Sequence, residues 1–308
     1  MSEAFSRQSS GALYDSVSGF DAMLQRQLAA RHADDLYREP RTIPEGSISF
    51  CDNDYLGLAE DDRLRIAAAS HAAGAGASRL VGGNHALYDT LEQKLARLKG
   101  TEAALVFTSG FSMNQSLIPA LAQKDDLILA DRLCHASLLD GARASGAAFR
   151  RFAHNDVTAL TRLLREHRSQ YRHAFILTET IFSMDGDAAP IGELLAMAEA
   201  FDCQLLADDA HGFGLRKLNP HPRLIQLGTL SKAAGCLGGY VCGSQLLRDY
   251  LINHCRGLIY TTALPPMLLA AACEALEIMK NEPQRGNQAL AHAARFCEAL
   301  GLSAPAAA

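Results

Sequence analysis

The stretch Leu205-Leu206-Ala207-Asp208-Asp209-Ala210-His211-Gly212 decides the fold, because an apolar run ends abruptly in two acids and a histidine. In open α/β sheets ligands bind beyond the carboxyl ends of the strands, so polar residues that directly follow an apolar strand are informative. Burying carboxylates and an imidazole without partners costs free energy. The stretch therefore predicts a strand that delivers Asp208 and His211 to a ligand-binding edge.

The rest of the chain repeats this alternation of short apolar runs and helical patterns. Leucines recur at helical spacing from Leu87 to Leu98, and an amphipathic stripe runs from Val157 to Leu164 after an Asn155-Asp156 capping signal. Strands separated by helices favour an α/β domain around a largely parallel sheet. The strand candidates are Ala104–Thr108, Leu127–Ala130, Ala174–Thr178, Gln204–Ala207, Leu224–Leu227 and Tyr240–Cys242.

Both ends of the chain lie outside this pattern. An amphipathic segment from Phe20 to Tyr37 predicts a surface arm that packs on the main body or on a partner subunit, and Ser47 to Cys51 predicts a short strand. The 42 residues beyond Pro266 suffice for two helices but not for a further multistranded sheet. We therefore expect an N-terminal arm over 1–45, a large domain over 46–262 and an incomplete C-terminal domain over 263–308.

Composition narrows the classes of function. The 308 residues are 48% hydrophobic and 20% charged, and the net charge of -5 disfavours nucleic acid as a partner. Eight scattered cysteines without a C-x-x-C pair indicate reduced thiols. The first twenty residues lack the apolar run of a secretory signal, and prolines and glutamates interrupt the longest apolar stretch, Leu264 to Met279. We expect a cytoplasmic protein without membrane spans.

Three further strand ends carry polar residues that allow two interpretations each. Gly110 follows the first strand, where it either makes a turn or opens a helix whose N–H groups hold a phosphate. His135 follows the second strand and either stacks on a flat cofactor or caps the next helix. Acidic residues surround Gly186, but they do not match the full calcium-loop pattern, so we predict no metal site there.

The segment Gly228-Thr229-Leu230-Ser231-Lys232-Ala233-Ala234-Gly235 places one lysine among small residues and hydroxyls after an apolar strand. Desolvation lowers the pKa of an amine, which makes it nucleophilic towards an aldehyde and able to form a Schiff base. A buried carboxylate such as Asp208 is the partner that a protonated pyridine nitrogen needs. Taken together, Lys232 and Asp208 indicate a pyridoxal-phosphate enzyme.

Nucleotide cofactors are disfavoured by the glycine-rich stretch from Gly74 to Gly83. No apolar strand precedes it, and Arg79 stands where a dinucleotide fingerprint needs its third glycine. The sequence also contains no G-x-x-x-x-G-K-[ST] loop.

The order and spacing of these segments resemble the α-oxoamine synthases, a branch of the fold-type I pyridoxal-phosphate enzymes, from about Asn53 to Pro266. Within the family, the stretches around Ser137 and Arg151 resemble most the members that act in biotin synthesis. The segments that carry the resemblance are Asn53-Asp54-Tyr55-Leu56-Gly57-Leu58, Arg151-Phe152-Ala153-His154-Asn155-Asp156, Phe182-Ser183-Met184-Asp185-Gly186-Asp187, Asp208-Asp209-Ala210-His211-Gly212 and Gly228-Thr229-Leu230-Ser231-Lys232.

The resemblance implies a role for each of these residues. Lys232 would carry pyridoxal 5'-phosphate, Asp208 would pair with the pyridinium nitrogen, and His135 would stack on the ring. His211 and Ser183 would bind the phenolic oxygen of the cofactor, and Asn53 would lie near the amino acid substrate. The Gly110 and Phe111 amides and Thr229 would bind the phosphate. Thr261 or Thr262 would reach the phosphate of a neighbouring subunit.

The resemblance also implies the reaction, in which L-alanine condenses with a pimeloyl thioester and CO2 is lost. Lys232 would remove the Cα proton, with the ring as electron sink. A homodimer is implied as well, because sites of this fold type are built from two subunits. The acyl chain length, its carrier and the choice between alanine and glycine stay open.

Two differences from the family pattern keep alternatives open. Only Phe213 to Leu227 separates Gly212 from Gly228, where the family has a longer loop, and most of the C-terminal domain that supplies a carboxylate-binding arginine is missing. Arg38 and Arg41 are possible substitutes for that arginine. The alternatives are another α-oxoamine synthase, which uses glycine or another acyl thioester, and a catalytically incomplete binding protein of the same fold.

Overall fold

The computed structural model describes residues 18–306, which divide into two compact units between Asp52 and Asn53. The first unit holds helix α1 (Gly19–Ala33), whose N-terminus is capped by the Ser18 hydroxyl. Within the segment from Phe20 to Tyr37, which was predicted as a surface arm, the helix ends at Ala33. The strand expected over 47–51 was wrong: the backbone is irregular there, and Ile48 and Phe50 are about four-fifths exposed. Alternating apolar residues predict a strand only where a neighbouring backbone pairs with them.

The second unit is built on a seven-stranded sheet, counted over the described residues, with strand order β1-β7-β6-β5-β4-β2-β3. Strand β7 runs antiparallel to β1 and β6, and the other neighbours are parallel, which confirms the mostly parallel sheet. All six strand candidates form within two residues of their predicted ends. The strands are β1 (Ala103–Phe107), β2 (Leu127–Asp131), β3 (Ala148–Phe152), β4 (Ala174–Glu179), β5 (Gln204–Asp208), β6 (Leu224–Thr229) and β7 (Gly239–Gly243).

Helices connect the strands, and the two predicted from leucine spacing form over Leu87–Lys99 and Val157–His167. The Asp156 carboxylate caps the second of these helices by accepting from the Ala159 amide. Two helices follow Pro265, as the remaining length predicted. The helices of this unit are α2 (Asp62–Ala69), α3 (Leu87–Lys99), α4 (Gly110–Leu121), α5 (Ala136–Ala144), α6 (Val157–His167), α7 (Ile191–Ala200), α8 (Gln245–His254), α9 (Arg256–Ile259), α10 (Pro266–Asn281) and α11 (Gln284–Ala299), with a 3₁₀ turn at Arg168–Gln170.

Both faces of the sheet are covered, so its inner strands are largely apolar, whereas the edge strand β3 carries two exposed arginines. Alternate residues of a strand point to opposite faces. In β1, Leu105 and Phe107 pack with α4, α5 and α8, whereas Ala104 and Val106 pack with α3 and α10. Helices α6 and α7 cover the remaining part of the second face, beneath β2, β4 and β5. By the same alternation, the last residues of β4 and β5 lie on the α4 face.

The glycine-rich stretch before α3 forms a single π-helical turn, Arg79–Gly83. Arg79 is buried, binds Glu92 at 2.6 Å and lies over the Tyr88 ring at 3.8 Å. Glu92 also binds Arg248 of α8 at 3.0 Å. A Cβ atom on Gly83 would lie 2.3 Å from the Ala77 carbonyl oxygen, so only glycine fits there. The stretch is therefore a packing element that joins α3 to α8.

Among residues 18–306, no helix is both long enough and apolar enough to cross a membrane.

Candidate active site

Most of the predicted site residues lie at the carboxyl edge of the sheet, where the six strands that run in the same direction end. Lys232 follows β6, and its Nζ atom lies 2.6 Å from Nε2 of His211, which follows β5. The other ring nitrogen of His211, Nδ1, lies 2.6 Å from the Tyr55 hydroxyl. Tyr55 in turn donates to Oδ1 of Asn53 at 2.9 Å. Asn53, Tyr55, His211 and Lys232 thus form one continuous hydrogen-bonded chain.

The direction of this chain follows from its fixed end. The Asn53 oxygen can only accept, so the single Tyr55 proton points to it, and Nδ1–H of His211 must then donate to the tyrosine oxygen. In neutral histidine the other nitrogen, Nε2, is left as an acceptor for a proton of Lys232. The geometry therefore prepares His211 to receive a hydrogen bond from the lysine amine.

Burial adjusts the protonation of this chain in the same sense. It lowers the pKa of Lys232, although the charges of Asp208 and Glu179 oppose the shift. Burial, together with the nearby Lys232, lowers the pKa of His211 to about 4. Burial also raises the pKa of Tyr55 to about 12. At neutral pH the imidazole and the phenol are both uncharged, and the lysine gives up its proton more readily than an exposed lysine.

Asp208 is the buried end of β5, and two donors hold its carboxylate. Nδ2 of Asn114 donates to Oδ2 at 2.8 Å, and the Ala210 amide donates to Oδ1 at 3.0 Å. Both hydrogen bonds favour the ionised form of the carboxyl. Nδ2 of Asn114 also donates to the Ser137 hydroxyl, which lies 2.7 Å from Nδ1 of His135. One network therefore fixes Asp208 and His135 together.

His135 itself accepts from the Ser137 amide and caps α5, which is the second of the two roles that the sequence left open. Its ring stands edge-on to Phe111 with the centroids 6.1 Å apart. Capping does not compete with stacking on a flat ligand, because capping engages only the Nδ1 edge of the ring.

Asp209 points to the opposite face of the sheet from Asp208. It forms a buried ion pair with Lys99 of α3 at 2.5 Å and accepts from the Thr180 hydroxyl at 2.5 Å. Because a buried charge needs a partner, this pair compensates the second acid of the stretch. It also anchors the turn that carries His211, two residues further on.

The start of α4 and the end of β6 form a cradle for an anion. Ser109 caps α4, and Gly110 is the first residue of this helix. A Cβ atom on Gly110 would come within 3.2 Å of the Thr229 Cβ atom, so glycine lets the helix approach β6. The N–H groups of Gly110 and Phe111 have no carbonyl of a preceding turn to bond, and the Thr229 hydroxyl lies within 3.4 Å of the Gly110 Cβ position. A helix N-terminus with such donors is a ready anion site.

Glu179, the last residue of β4, is a buried carboxyl that the sequence interpretation did not assign to the site. Burial raises its pKa to about 8, and the charge of Asp208 adds to the shift. The backbone amides of His135 and Ser183 face this carboxyl and oppose the shift. Glu179 therefore connects the predicted ring-stacking residue with Ser183, which lies on an exposed loop.

Thr262 stands apart from these contacts. It is exposed, and its backbone bridges to Ser78 beside the glycine-rich turn. Within the described residues, Thr262 has no hydrogen bond to Asn53, Tyr55, His211 or Lys232. This is consistent with its predicted role at the site of another subunit. That role stays a prediction.

The acidic loop after β4 is tied down by His154. Its two ring nitrogens lie 2.9 Å from Asp131 and 2.9 Å from Asp187. Together with Asp185, the histidine and Asp187 bring atoms of the metal-ligand type within 4.8 Å of one another. Because both nitrogens of His154 are engaged by carboxylates, this group forms a hydrogen-bonded clip that holds the loop bearing Ser183.

A separate cavity of about 780 Å³ lies at the amino edge of the sheet, lined by Thr101, Gln204, Leu224 and Tyr250 among others. It shares no residue with the Lys232 chain. This cavity is therefore separate from the group of residues at the carboxyl edge.

Comparison with known proteins agrees with the fold. Residues 45–306 match the family model of class I and II aminotransferases, and the chain belongs to this family. The serine palmitoyltransferase of S. paucimobilis, solved with a bound PLP–myriocin aldimine, has the same fold, with a TM-score of 0.83 at 24% identity. That match covers 93% of this chain and 81% of the other.

Sequence relatives narrow the group within the family. The 8-amino-7-oxononanoate synthase of Methylorubrum populi is 53% identical over 261 residues, which cover 83% of this chain and 67% of that protein. The 8-amino-7-oxononanoate synthase of Methylobacterium radiotolerans is 46% identical over 301 residues, which cover 93% of this chain and 80% of that protein. This chain is therefore similar to 8-amino-7-oxononanoate synthases over most of its length.

The residues at the carboxyl edge fit the cofactor that the family implies. Two buried atoms of this region, Oε1 of Glu179 and Oδ1 of Asn114, have no hydrogen-bond partner within the described chain. The cradle at Gly110 is suited to a phosphate, Asp208 to a pyridinium nitrogen and Lys232 to an aldehyde. A flat, phosphorylated pyridine aldehyde is the group that would use all three.

Proposed function

We propose that this chain catalyses the condensation of L-alanine with a pimeloyl thioester, on coenzyme A or an acyl-carrier protein, to give 8-amino-7-oxononanoate, CO2 and the free thiol carrier in biotin synthesis. The observation that carries the proposal is the convergence of Lys232, the held carboxylate Asp208 and the anion cradle at Gly110 on one edge of the sheet. The names of the sequence relatives support the choice of reaction.

The cofactor is pyridoxal 5'-phosphate, which supplies an electron sink for a carbanion at the amino acid Cα when it is bound. Lys232 would carry it, and the α4 N-terminus with Thr229 would hold its phosphate. Asp208, fixed by Asn114, would stand at the ring nitrogen and favour its protonated state. His135 would cover one face of the ring.

Proton movement at Cα falls to Lys232. Because burial lowers its pKa, the amine is more readily available as a base than that of an exposed lysine. His211 accepts a hydrogen bond from Nζ and so orients the amine, while Tyr55 and Asn53 hold His211 in the required tautomer. Asn53 would therefore have two roles: it fixes the hydrogen bonds of Tyr55 and His211, and it lies near the substrate as expected.

The acyl donor and the assembly are part of the same proposal. We expect a homodimer in the cytoplasm, with Thr262 serving the phosphate of the neighbouring subunit. The hydrogen-bonded residues Asn53, Tyr55, His211 and Lys232 do not discriminate alanine from glycine or one acyl group from another. Substrate profiling therefore decides between the proposed synthase and another α-oxoamine synthase.

The first test is the visible spectrum of the purified protein with added pyridoxal phosphate. We expect an absorbance band that disappears in Lys232→Ala and persists in Lys217→Ala, a lysine on the exposed segment after β5. Borohydride reduction followed by peptide mass spectrometry should locate the cofactor on Lys232. A band of equal strength in Lys232→Ala would contradict the assignment.

The second test adds L-alanine and then pimeloyl-CoA, with glycine and shorter acyl thioesters as comparisons. Formation of 8-amino-7-oxononanoate with alanine and the pimeloyl donor supports the proposal. Turnover only with glycine or another thioester would assign a different α-oxoamine synthase. A Lys232-dependent band without any product would favour a catalytically incomplete binding protein.

A further inference from the structure

Glu179 is a buried acidic residue at the end of β4. It is 2% exposed, and its Oε1 atom has no hydrogen-bond partner. Such a group carries a large desolvation penalty if it is ionised. Neither the reaction proposed above nor the packing of β4 requires a glutamate at this position.

The neighbour of Glu179 across the sheet is Asp208. The two residues are register partners in the parallel pair β4–β5, so their side chains leave the same face of the sheet side by side. Two adjacent buried carboxyls resist joint ionisation, and one of them keeps a proton. The question is which of them does so.

The hydrogen bonds of the two carboxyls indicate which of them keeps the proton. Asp208 accepts from Nδ2 of Asn114 and from the Ala210 amide, and both bonds stabilise its charge. The Glu179 carboxyl has the amides of His135 and Ser183 beside it, but its Oε1 atom has no donor, whereas both oxygens of Asp208 have one. The proton therefore belongs to Glu179.

The charge of Glu179 matters for Lys232, because an ionised Glu179 would help the ammonium form of this lysine to persist. We propose that Glu179 is a positioning residue that stays a neutral acid beside Asp208, so that Asp208 is the single anion of the pair and Lys232 is released as a free amine. The proposal deepens the function proposed above and rests on Lys232 as the reactive amine.

The groups that face Glu179 come from three neighbouring segments. They are Asp208 at the end of β5, Lys232 after β6, and Cys134 and His135 before α5. The Cys134 thiol is fully buried, and burial raises its pKa well above the ordinary value, so it stays neutral beside Glu179. Asp208 and Lys232 are therefore the charges that act on this carboxyl.

The first test compares wild type with Glu179→Gln, whose amide has the shape of the neutral acid, by urea unfolding without cofactor from pH 5 to 9. A folded-state pKa of about 8, raised above the ordinary 4.5, stabilises the fold fully below pH 4.5; this contribution is lost as pH rises from 4.5 to 8, and above 8 the curves run parallel. The unfolding constant of wild type relative to the variant should rise by up to about tenfold per pH unit in that window.

The matched control for this test is Glu193→Gln on the exposed surface of α7, which should follow the wild-type curve. Curves for wild type and Glu179→Gln that also run parallel below pH 8 would show that Glu179 is ionised in the folded protein and would overturn the proposal. Because cofactor and substrate are absent, this result is independent of whether the proposed reaction occurs.

The second test follows Lys232 directly, by the pH dependence of its amidination in the protein without cofactor, read by peptide mass spectrometry. The midpoint should be lower in Glu179→Gln than in wild type, because the wild-type glutamate ionises above pH 8 and then holds the lysine proton. An unchanged midpoint would overturn the link to Lys232, and a structural defect alone would not shift it in this direction.

A third measurement needs no substitution and applies if Glu179→Gln does not fold. Isotope-edited infrared spectroscopy of wild type with labelled glutamate should show a protonated carboxyl band at pH 7 that vanishes with a midpoint of about 8. Absence of this band at pH 7 would overturn the proposal.

Discussion

At the scale of single residues, the tautomer of His211 depends on one phenol. Replacing Tyr55 with phenylalanine removes the bridge between Asn53 and His211 and leaves Nδ1 without its partner. We expect kcat to fall about tenfold with a smaller change in KM, the effect of one hydrogen bond of ~1.4 kcal/mol. Steady-state kinetics with alanine as the varied substrate measures both constants.

The control for this substitution is Tyr260→Phe, because the Tyr260 side chain is 71% exposed and lies against Arg256. It should leave both constants unchanged. If Tyr55→Phe retained the wild-type kcat, the tautomer of His211 would not depend on the phenol.

The sequence predicted those members of the carboxyl-edge cluster that follow apolar strands, namely Lys232, Asp208, His211 and His135, and their role in catalysis stays a prediction. It did not identify Asn114, because an asparagine inside a helix has no local signal of a buried partner. Glu179 follows a strand too, but its importance depends on Asp208 on the neighbouring strand, and register between strands cannot be read from one segment. Tyr55 was part of a recognised motif, yet its contact with His211 spans 156 positions of the chain.

At the scale of elements, Glu92 of α3 joins three segments. It binds Arg79 of the π-helical turn and Arg248 of α8, and it accepts from the Val106 amide of β1. Glu92→Gln would leave two arginines without an anion, one of them buried, so we expect the free energy of unfolding to fall by about 3 kcal/mol. Urea unfolding measures the loss.

An exposed glutamate on α6 provides the control, since Glu166→Gln should change the free energy of unfolding by less than about 0.5 kcal/mol. A similarly small loss for Glu92→Gln would mean that the two arginines find solvent or other acceptors at little cost.

Two elements show the limits of pattern interpretation. Strand β3 was not predicted because it is an edge strand whose arginines, Arg150 and Arg151, are exposed, and charge on an edge strand protects it from pairing with other chains. The segment 47–51 was predicted as a strand on composition, but the sheet draws all its strands from residues 103–243. A strand exists only with its neighbour, which local composition does not specify.

At the scale of the whole molecule, mixed dimers can test the predicted role of Thr262. Thr262→Ala should weaken pyridoxal-phosphate binding about tenfold, as the loss of one hydrogen bond to a charged group predicts. Unfolding and refolding this variant together with Lys232→Ala gives mixed dimers in which one site has its own Lys232 and an intact Thr262 from the other subunit. About a quarter of all sites should then bind with wild-type affinity.

The two variants kept unmixed are the control, since neither contains a complete site. Titration of the Lys232-dependent absorbance band counts the tight sites. If mixing restored none of them, Thr262 would act within its own subunit or not at all, and sedimentation of the same samples would show whether dimers had formed.

The position of β7 in the sequence also sets the time during synthesis at which β1 can first pair with its neighbour. In the sheet β1 pairs only with β7, which begins 132 residues after β1 ends at Phe107. At about 5–20 residues per second, a ribosome needs on the order of ten seconds to supply that partner. During this interval the nascent chain exposes an apolar strand edge, and the phosphate cradle beside Gly110 has no Thr229. Until synthesis has passed β7, a newly made subunit therefore exposes this strand edge to other chains, and for most of that time it lacks part of the proposed phosphate site.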